Sequence, residues 1–172
     1  MHRIYADYLM PSRLKEYERL ITTALQNDYV HLTLPQFFEK VMNNDVNGKY
    51  FLHRHDIDTD VRTAKKMFGI EKKHGVHSSF YFRLNTWAPD LINEIHANGS
   101  EAGYHYEELA QFCKDKKIGT AEEVKKHYLE IRSNFKRNFN GLNSTLKFRM
   151  TTIASHGDFV NRKIGIANHD FI

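Results

Sequence analysis

An α/β fold with parallel strands is predicted by three features of the 172-residue chain. Short aliphatic and aromatic runs alternate with segments of helical periodicity, capping residues stand where those segments begin, and glycines stand where they stop. Repeated strand–helix units place successive strands parallel with right-handed crossovers, in either a doubly wound sheet or a barrel.

The first 48 residues read as a helical lead-in belonging to the same domain as the β/α region of residues 49–172. Leu14, Tyr17, Leu20, Ile21, Ala24 and Leu25 recur at helical spacing, with Ser12 placed to cap. A second short helix is expected from Pro35 to about Asn44, before the breaker cluster Asn43–Gly48. Tyr50–His55 is the first expected strand. Thr59 can cap a helix carrying Val61, Ala64, Phe68 and Glu71 that stops at Gly75.

His77–Leu84 is the next expected strand. Pro89 then opens a helix with Leu91, Ile92 and Ile95 on one face, ending at Gly99, and a very short strand follows over Ser100–Tyr104. Thr120 and Glu123 form a capping box for a long helix burying Val124, Tyr128, Ile131 and Phe135. Asn138–Ser144 reads as a turn and Thr145–Ala154 as the fourth strand.

Composition narrows the class. Hydrophobic residues are 41% and charged residues 27%, a globular balance, and the length suits one domain. Cys113 is the single cysteine, so no intramolecular disulfide can form, which fits a reducing compartment. The net charge of +4 is scattered, and basic runs such as Lys114–Lys117 are broken by acids. They read as solvated faces, so no nucleic-acid partner is expected. The opening residues carry charge every few positions and lack a signal-peptide core. No stretch approaches the ~20 apolar residues of a membrane span. A soluble, cytoplasmic protein is expected.

Eleven histidines are the compositional oddity. In parallel α/β folds, chemistry gathers beyond the carboxyl ends of strands. Three expected strand ends carry titratable groups: His53–Asp58, Tyr104–Glu108 and Ser155–Asp158. Asp56 and Asp58, two residues apart on extended chain, should share a face with Arg54 behind them. Two carboxylates on one face call for a cation, and a site of two histidines and a carboxylate suits a divalent metal, zinc among others. Trp87, just past the second strand, and Tyr106 are candidate stacking surfaces for a sugar ring, while Tyr81 and Tyr104 read as packing residues. His2, His31, His74, His96, His127 and His169 read as incidental. Cys113 has no base at motif spacing and is no candidate nucleophile.

Arg54–Asp58 (RHDID), Ser78–Leu84 (SSFYFRL) and Gly99–Tyr106 (GSEAGYHY), with the later His156–Gly157, resemble the polysaccharide deacetylase family, carbohydrate esterase family 4. The closer likeness is to its divergent "RHDVD" branch, over about residues 10–170. The resemblance implies a distorted β/α barrel and metal-dependent removal of an acetyl group from an acetylated sugar or glycan. It makes Asp56 the general base with Arg54 as its partner, and Asp58 and His105 metal ligands. Two departures stand out. Ile57 splits the usual aspartate pair, and Leu109 occupies the position of the usual second histidine, which leaves His156 or else Glu107 to fill that coordination position. Glu107 is otherwise a candidate substrate contact. The strands read from the sequence are too few to close a barrel, so a partial, C-terminally truncated barrel is expected. Two rival readings remain: a non-catalytic sugar-binding or scaffold relic of the fold, and a hydrolase acting on another non-peptide C–N bond.

Overall fold

The computed structural model describes residues 11–172. The opening ten residues, where charge argued against a signal peptide, lie outside the described residues. The chain folds into mixed α/β structure with two parallel sheets. Helix α1 (Leu14–Gln26) leads to strand β1 (Val30–Leu32), helix α2 (Leu34–Met42) and strand β2 (Tyr50–Leu52), and β1 pairs with β2. The main sheet follows, with strands β3 (Arg54–Ile57), β4 (Ser79–Phe82), β5 (Glu101–Tyr106) and β6 (Ile153–Ser155) side by side in sequence order and all parallel. Helices α3 (Val61–His74), α4 (Pro89–Ala97), α5 (Glu108–Lys116), α6 (Ala121–Lys126), α7 (Tyr128–Asn143) and α8 (Phe159–Ile164) fill the crossovers and the end of the chain.

Strand order has a consequence for function. A strand ladder that advances without reversal, joined by right-handed crossovers, keeps its helices on one face. Register then sorts the side chains. Ile57, Phe80, Phe82, Ala102, Tyr104 and Tyr106 belong to the apolar clusters shared with the helices. Arg54, Asp56, Tyr81, Gly103 and His105 occupy the alternate positions of paired strands, hence the opposite face. Gly103 is required there: a Cβ would come within 2.6 Å of the Thr152 carbonyl and 2.8 Å of the Tyr81 ring.

Several elements differ from the sequence reading. The expected strand over residues 50–55 is two strands, interrupted at His53 as the chain passes from one sheet to the other. Strand β1 escaped notice because three residues are too few to show alternation. Asp60 caps α3, its carboxylate accepting from the Arg62 and Thr63 amides at 2.9 and 3.2 Å. Thr33 caps α2 with a full capping box. The expected long helix breaks at His127 into α6 and α7, and the expected turn over residues 138–144 is the last part of α7, anchored by buried Leu142. Most of the expected fourth strand is irregular. Its amides are taken by side chains, Lys147 by Asn93 and Met150 by Asn143, both at 2.9 Å, so only residues 153–155 join the ladder.

The lead-in packs against α3. Ile21 and Ala24 are buried, Tyr17 donates to Glu71, and Glu18 accepts from Lys73 and His74. Among the described residues, no helix is long and apolar enough to cross a membrane.

Candidate metal centre

The end of β3 sets the first part of the site. Arg54 and Asp56, two residues apart, share a strand face, and the guanidinium grips the carboxylate in a fork: Nε to Oδ1 at 2.8 Å and an Nη2 to Oδ2 at 2.9 Å. Arg54 is held in turn against the Tyr81 ring, 5.5 Å from its centroid. After Ile57 the chain turns, the Asp58 amide donating to the Asp56 carbonyl at 3.1 Å, so Asp58 reaches the same rim from beyond the strand.

His105 comes from the middle of the main sheet and is 2% exposed. Its Nδ1 lies 3.1 Å from the Ala154 carbonyl, which can only accept, so Nδ1 carries the proton and Nε2 presents a lone pair. Burial lowers the His105 pKa, against the pull of Asp56, which favours the neutral ring a metal needs. His156 follows β6, its amide donating to the Tyr106 carbonyl at 2.8 Å.

These side chains converge. His105 Nε2 lies 3.6 Å from Asp58 Oδ1 and 3.7 Å from Asp56 Oδ2. His156 Nδ1 lies 3.1 Å from His105 Nε2 and 3.2 Å from Asp58 Oδ1. Two ligand atoms on a tetrahedral zinc ion, each at ~2.0–2.1 Å, are separated by about 3.3 Å. The observed separations of 3.1, 3.2 and 3.6 Å bracket that value. Asp58 Oδ1 is buried and has no hydrogen-bond partner among the described residues. A buried carboxylate oxygen left unpartnered is costly, and a cation would satisfy it. Asp58, His105 and His156 therefore fit a divalent ion, with the Ala154 carbonyl orienting one ligand from behind.

Two other clusters of metal-ligating types are engaged elsewhere. His53, His55 and Glu71 gather beneath β2 and β3, but Glu71 already accepts from His55 at 2.7 Å, from Ser78 at 2.7 Å and from Tyr17. Those contacts are hydrogen bonds, closer than two ligands of one ion. Glu107 and Asp158 approach His156 from the other side. Glu107 is forked by Arg83, and Asp158 caps α8 while accepting from Lys114 at 2.5 Å. Glu107 is thus fixed by Arg83 at the edge of the site, and His156 stands nearer to Asp58 and His105.

The expected sugar-stacking residues lie differently. Strand β5 continues two residues further than its sequence suggests, and alternation then turns Tyr106 to the helix side. There it is 3% exposed and packs edge-on against Phe135 and Phe171, with no face to offer a substrate. Trp87 is half-buried between the two apolar clusters, its indole N–H donating to Thr145 at 3.0 Å. Leu109 is fully buried in the core and takes no part. Cys113 is buried and its thiol pKa is pushed up by burial, the opposite of an activated nucleophile.

Sequence reading missed one set of groups. His31, expected to be incidental, is 6% exposed and stacks on His53 with Nδ1 3.0 Å from His53 Nε2. Tyr17 and Glu71 join that network from two separate helices, at spacings of 36 and 54 residues that no local pattern reveals. No protein-family model, curated protein or solved structure matches the chain.

Proposed function

We propose that the protein is a metal-dependent hydrolase that removes an acetyl group from an N-acetylated sugar of a glycan. The observation that carries the reading is the unpartnered Asp58 oxygen meeting two histidine nitrogens at metal-ligand spacing, beside a carboxylate gripped by arginine. The resemblance to polysaccharide deacetylases points to Asp58 and His105 as ligands on independent grounds. An unreversed parallel ladder with polar residues on the face opposite its helices is also what a partial barrel requires.

A divalent cation on Asp58, His105 and His156, zinc by donor type, would supply Lewis acidity to a water and to the acyl carbonyl. The remaining chemistry belongs to the chain. Asp56 stands 3.7 Å from His105 Nε2, close enough to the ligand set to take the proton of an attacking water. Arg54 fixes both carboxylate oxygens of Asp56 toward the rim, so its orientation costs nothing at the moment of reaction. Addition of water to the amide carbon and cleavage of the C–N bond require one proton on the departing amine. The proton held on Asp56 is the one to return, and acetate and a free amino sugar leave. His156 also lines a groove of about 520 Å³ together with Ser155, Gly157 and residues 165–170.

The test is metal analysis of purified protein together with acetate release from acetylated amino-sugar oligomers. One divalent ion per chain and chelator-sensitive acetate release are expected. Absence of bound metal after incubation with zinc, with no turnover, would overturn the reading and favour the relic.

A further inference from the structure

The lead-in meets the rest of the fold across a seam of imidazole rings. Strand β1 supplies His31 and α1 supplies Tyr17; facing them are His53 from the β2–β3 junction, His55 from β3 and Glu71 from α3. The three histidines and Glu71 are buried. Hydrogen-bond direction fixes where the protons sit. Glu71, held below the ordinary glutamate range, can only accept, and takes His55 Nε2–H and the Ser78 hydroxyl, each at 2.7 Å, together with the Tyr17 hydroxyl. With its hydrogen spent, the Tyr17 oxygen accepts from His53 Nδ1, 3.5 Å away. A neutral His53 then presents a lone pair at Nε2, so His31 Nδ1 donates to it at 3.0 Å. His31 Nε2 is left as a buried lone pair with no partner among the described residues.

That arrangement suits neutral rings and no others. The His31 and His53 rings stack with centroids 5.0 Å apart and planes 11° from parallel, one hydrogen lying between the facing nitrogens. A proton added to the pair leaves His31 Nε2 as a buried N–H with no acceptor, whichever ring carries the charge. A second proton sets N–H against N–H across 3.0 Å, between two stacked cations. Glu71, the carboxylate facing the rings, already has three donors. Phe51 and Phe80 pack against His53 and His55 and bring no charge. Glu18 of α1, which accepts from Lys73 and His74, works the other way, since a protonated His74 would hold it more firmly; that pairing is solvent-screened and worth little.

The repulsion falls on the seam, and the lead-in is its weaker side. Helix α1 buries Ile21 and Ala24, α2 buries no residue, and β1 pairs three residues with β2, whereas every residue of β4 is buried. Segments held by few buried contacts open at lower free energy than the core. We propose that the His31–His53 pair is an acid-operated latch, whose protonation frees α1, β1 and α2 from a body of strands β3–β6 that stays folded. The latch requires neither a metal nor catalytic activity.

The experiment is hydrogen exchange of the chelator-treated chain, read by mass spectrometry at about pH 7.5 and about pH 5 and corrected for the intrinsic pH dependence of exchange. At the lower pH, peptides from α1 to α2 (residues 14–42) should exchange well ahead of those from β4 and β5 (residues 79–106). Their protection should fall by about thirtyfold between the two conditions, the factor for a histidine depressed from 6.5 to about 4. In His53→Gln, which does not titrate there, the fall should shrink to about threefold or less. His31→Gln should also lose most of it, because its carboxamide can turn to donate to His53 or to accept from it. Thermal melts establish which variants are folded. Lead-in and strand peptides that lose protection together at about pH 5 would overturn the latch, since acid would then act on the whole fold. An undiminished acid response in either folded variant would overturn the pair as its cause.

Discussion

Acidification should destabilise this protein through a buried histidine outside the candidate metal centre. His53 is 6% exposed, faces His31, His55, Tyr17 and Glu71, and is held down to about 4 by burial and by its two histidine neighbours, from an unfolded value of 6.5. Because its folded value is depressed, the unfolded chain binds more protons between those two values, and the stabilisation is present above 6.5 and lost as pH falls toward 4. Integrated from about pH 7.5 to about pH 5, the loss is about 2 kcal/mol from this residue alone. His31, whose pKa burial also lowers, adds in the same direction. Burial pushes the Glu71 carboxyl up, but hydrogen bonds from His55, Tyr17 and Ser78 bring it below the ordinary glutamate range, so its contribution is lost only at lower pH. Urea unfolding of chelator-treated protein at the two pH values reads the difference. His53→Gln cannot titrate there, and its stability should fall by about 2 kcal/mol less over the same interval. An equal fall in variant and wild type would refute the reasoning.

Other substitutions separate roles within the site and the frame. Asp58→Ala removes a ligand carboxylate, so zinc stoichiometry by elemental analysis should drop with activity. Asp56→Asn keeps the shape without the base; metal should stay bound while acetate release slows by on the order of 10²–10⁴, and equal metal loss in both variants would break the assignment. Gly103→Ala drives a methyl group against the Thr152 carbonyl and the Tyr81 ring and should cost roughly 1–3 kcal/mol, measured by urea unfolding. Tyr17→Phe withdraws a hydroxyl from the fully buried Glu71 and should cost about 1–3 kcal/mol in the same measurement.

The strand–helix alternation was legible because each element carried its own signal. Gly75 adopts the left-handed cap at a φ of 64° that ends α3, and Thr120 accepts from the Glu123 amide, as the letters imply. Boundaries failed where the deciding partner was distant. The segment after Ser144 has strand-like residues, yet Asn93 and Asn143 take amides a ladder would have used. Gly141 and the Asn-rich sequence around it look like a turn, but Leu142, buried in the core, keeps the helix going. Local propensity yields wherever tertiary packing contributes more free energy than the residue's own backbone preference.

The metal-site candidates were legible for a different reason: parallel topology turns strand ends that are far apart in sequence into neighbours on one rim. That rule needs only the strand ends, and it brings Asp58, His105 and His156 together from positions up to 98 residues apart. It does not report which face a side chain takes, and face depends on the last paired residue. An error of two residues at the end of β5 left Tyr106 nominally at the mouth, whereas the ladder to Ser155 assigns it to the core. His105, one residue away, takes the polar face by the same parity. The His31–His53–Glu71 network lay beyond either rule. Its members come from β1, the β2–β3 junction and α3, and only the passage of the chain between the two sheets and the docked lead-in bring them into contact. A histidine count flags such a protein as unusual; it takes the hydrogen-bond partners to tell rings gathered round a carboxylate already satisfied, as at Glu71, from rings gathered round an unpartnered carboxylate oxygen, as at Asp58.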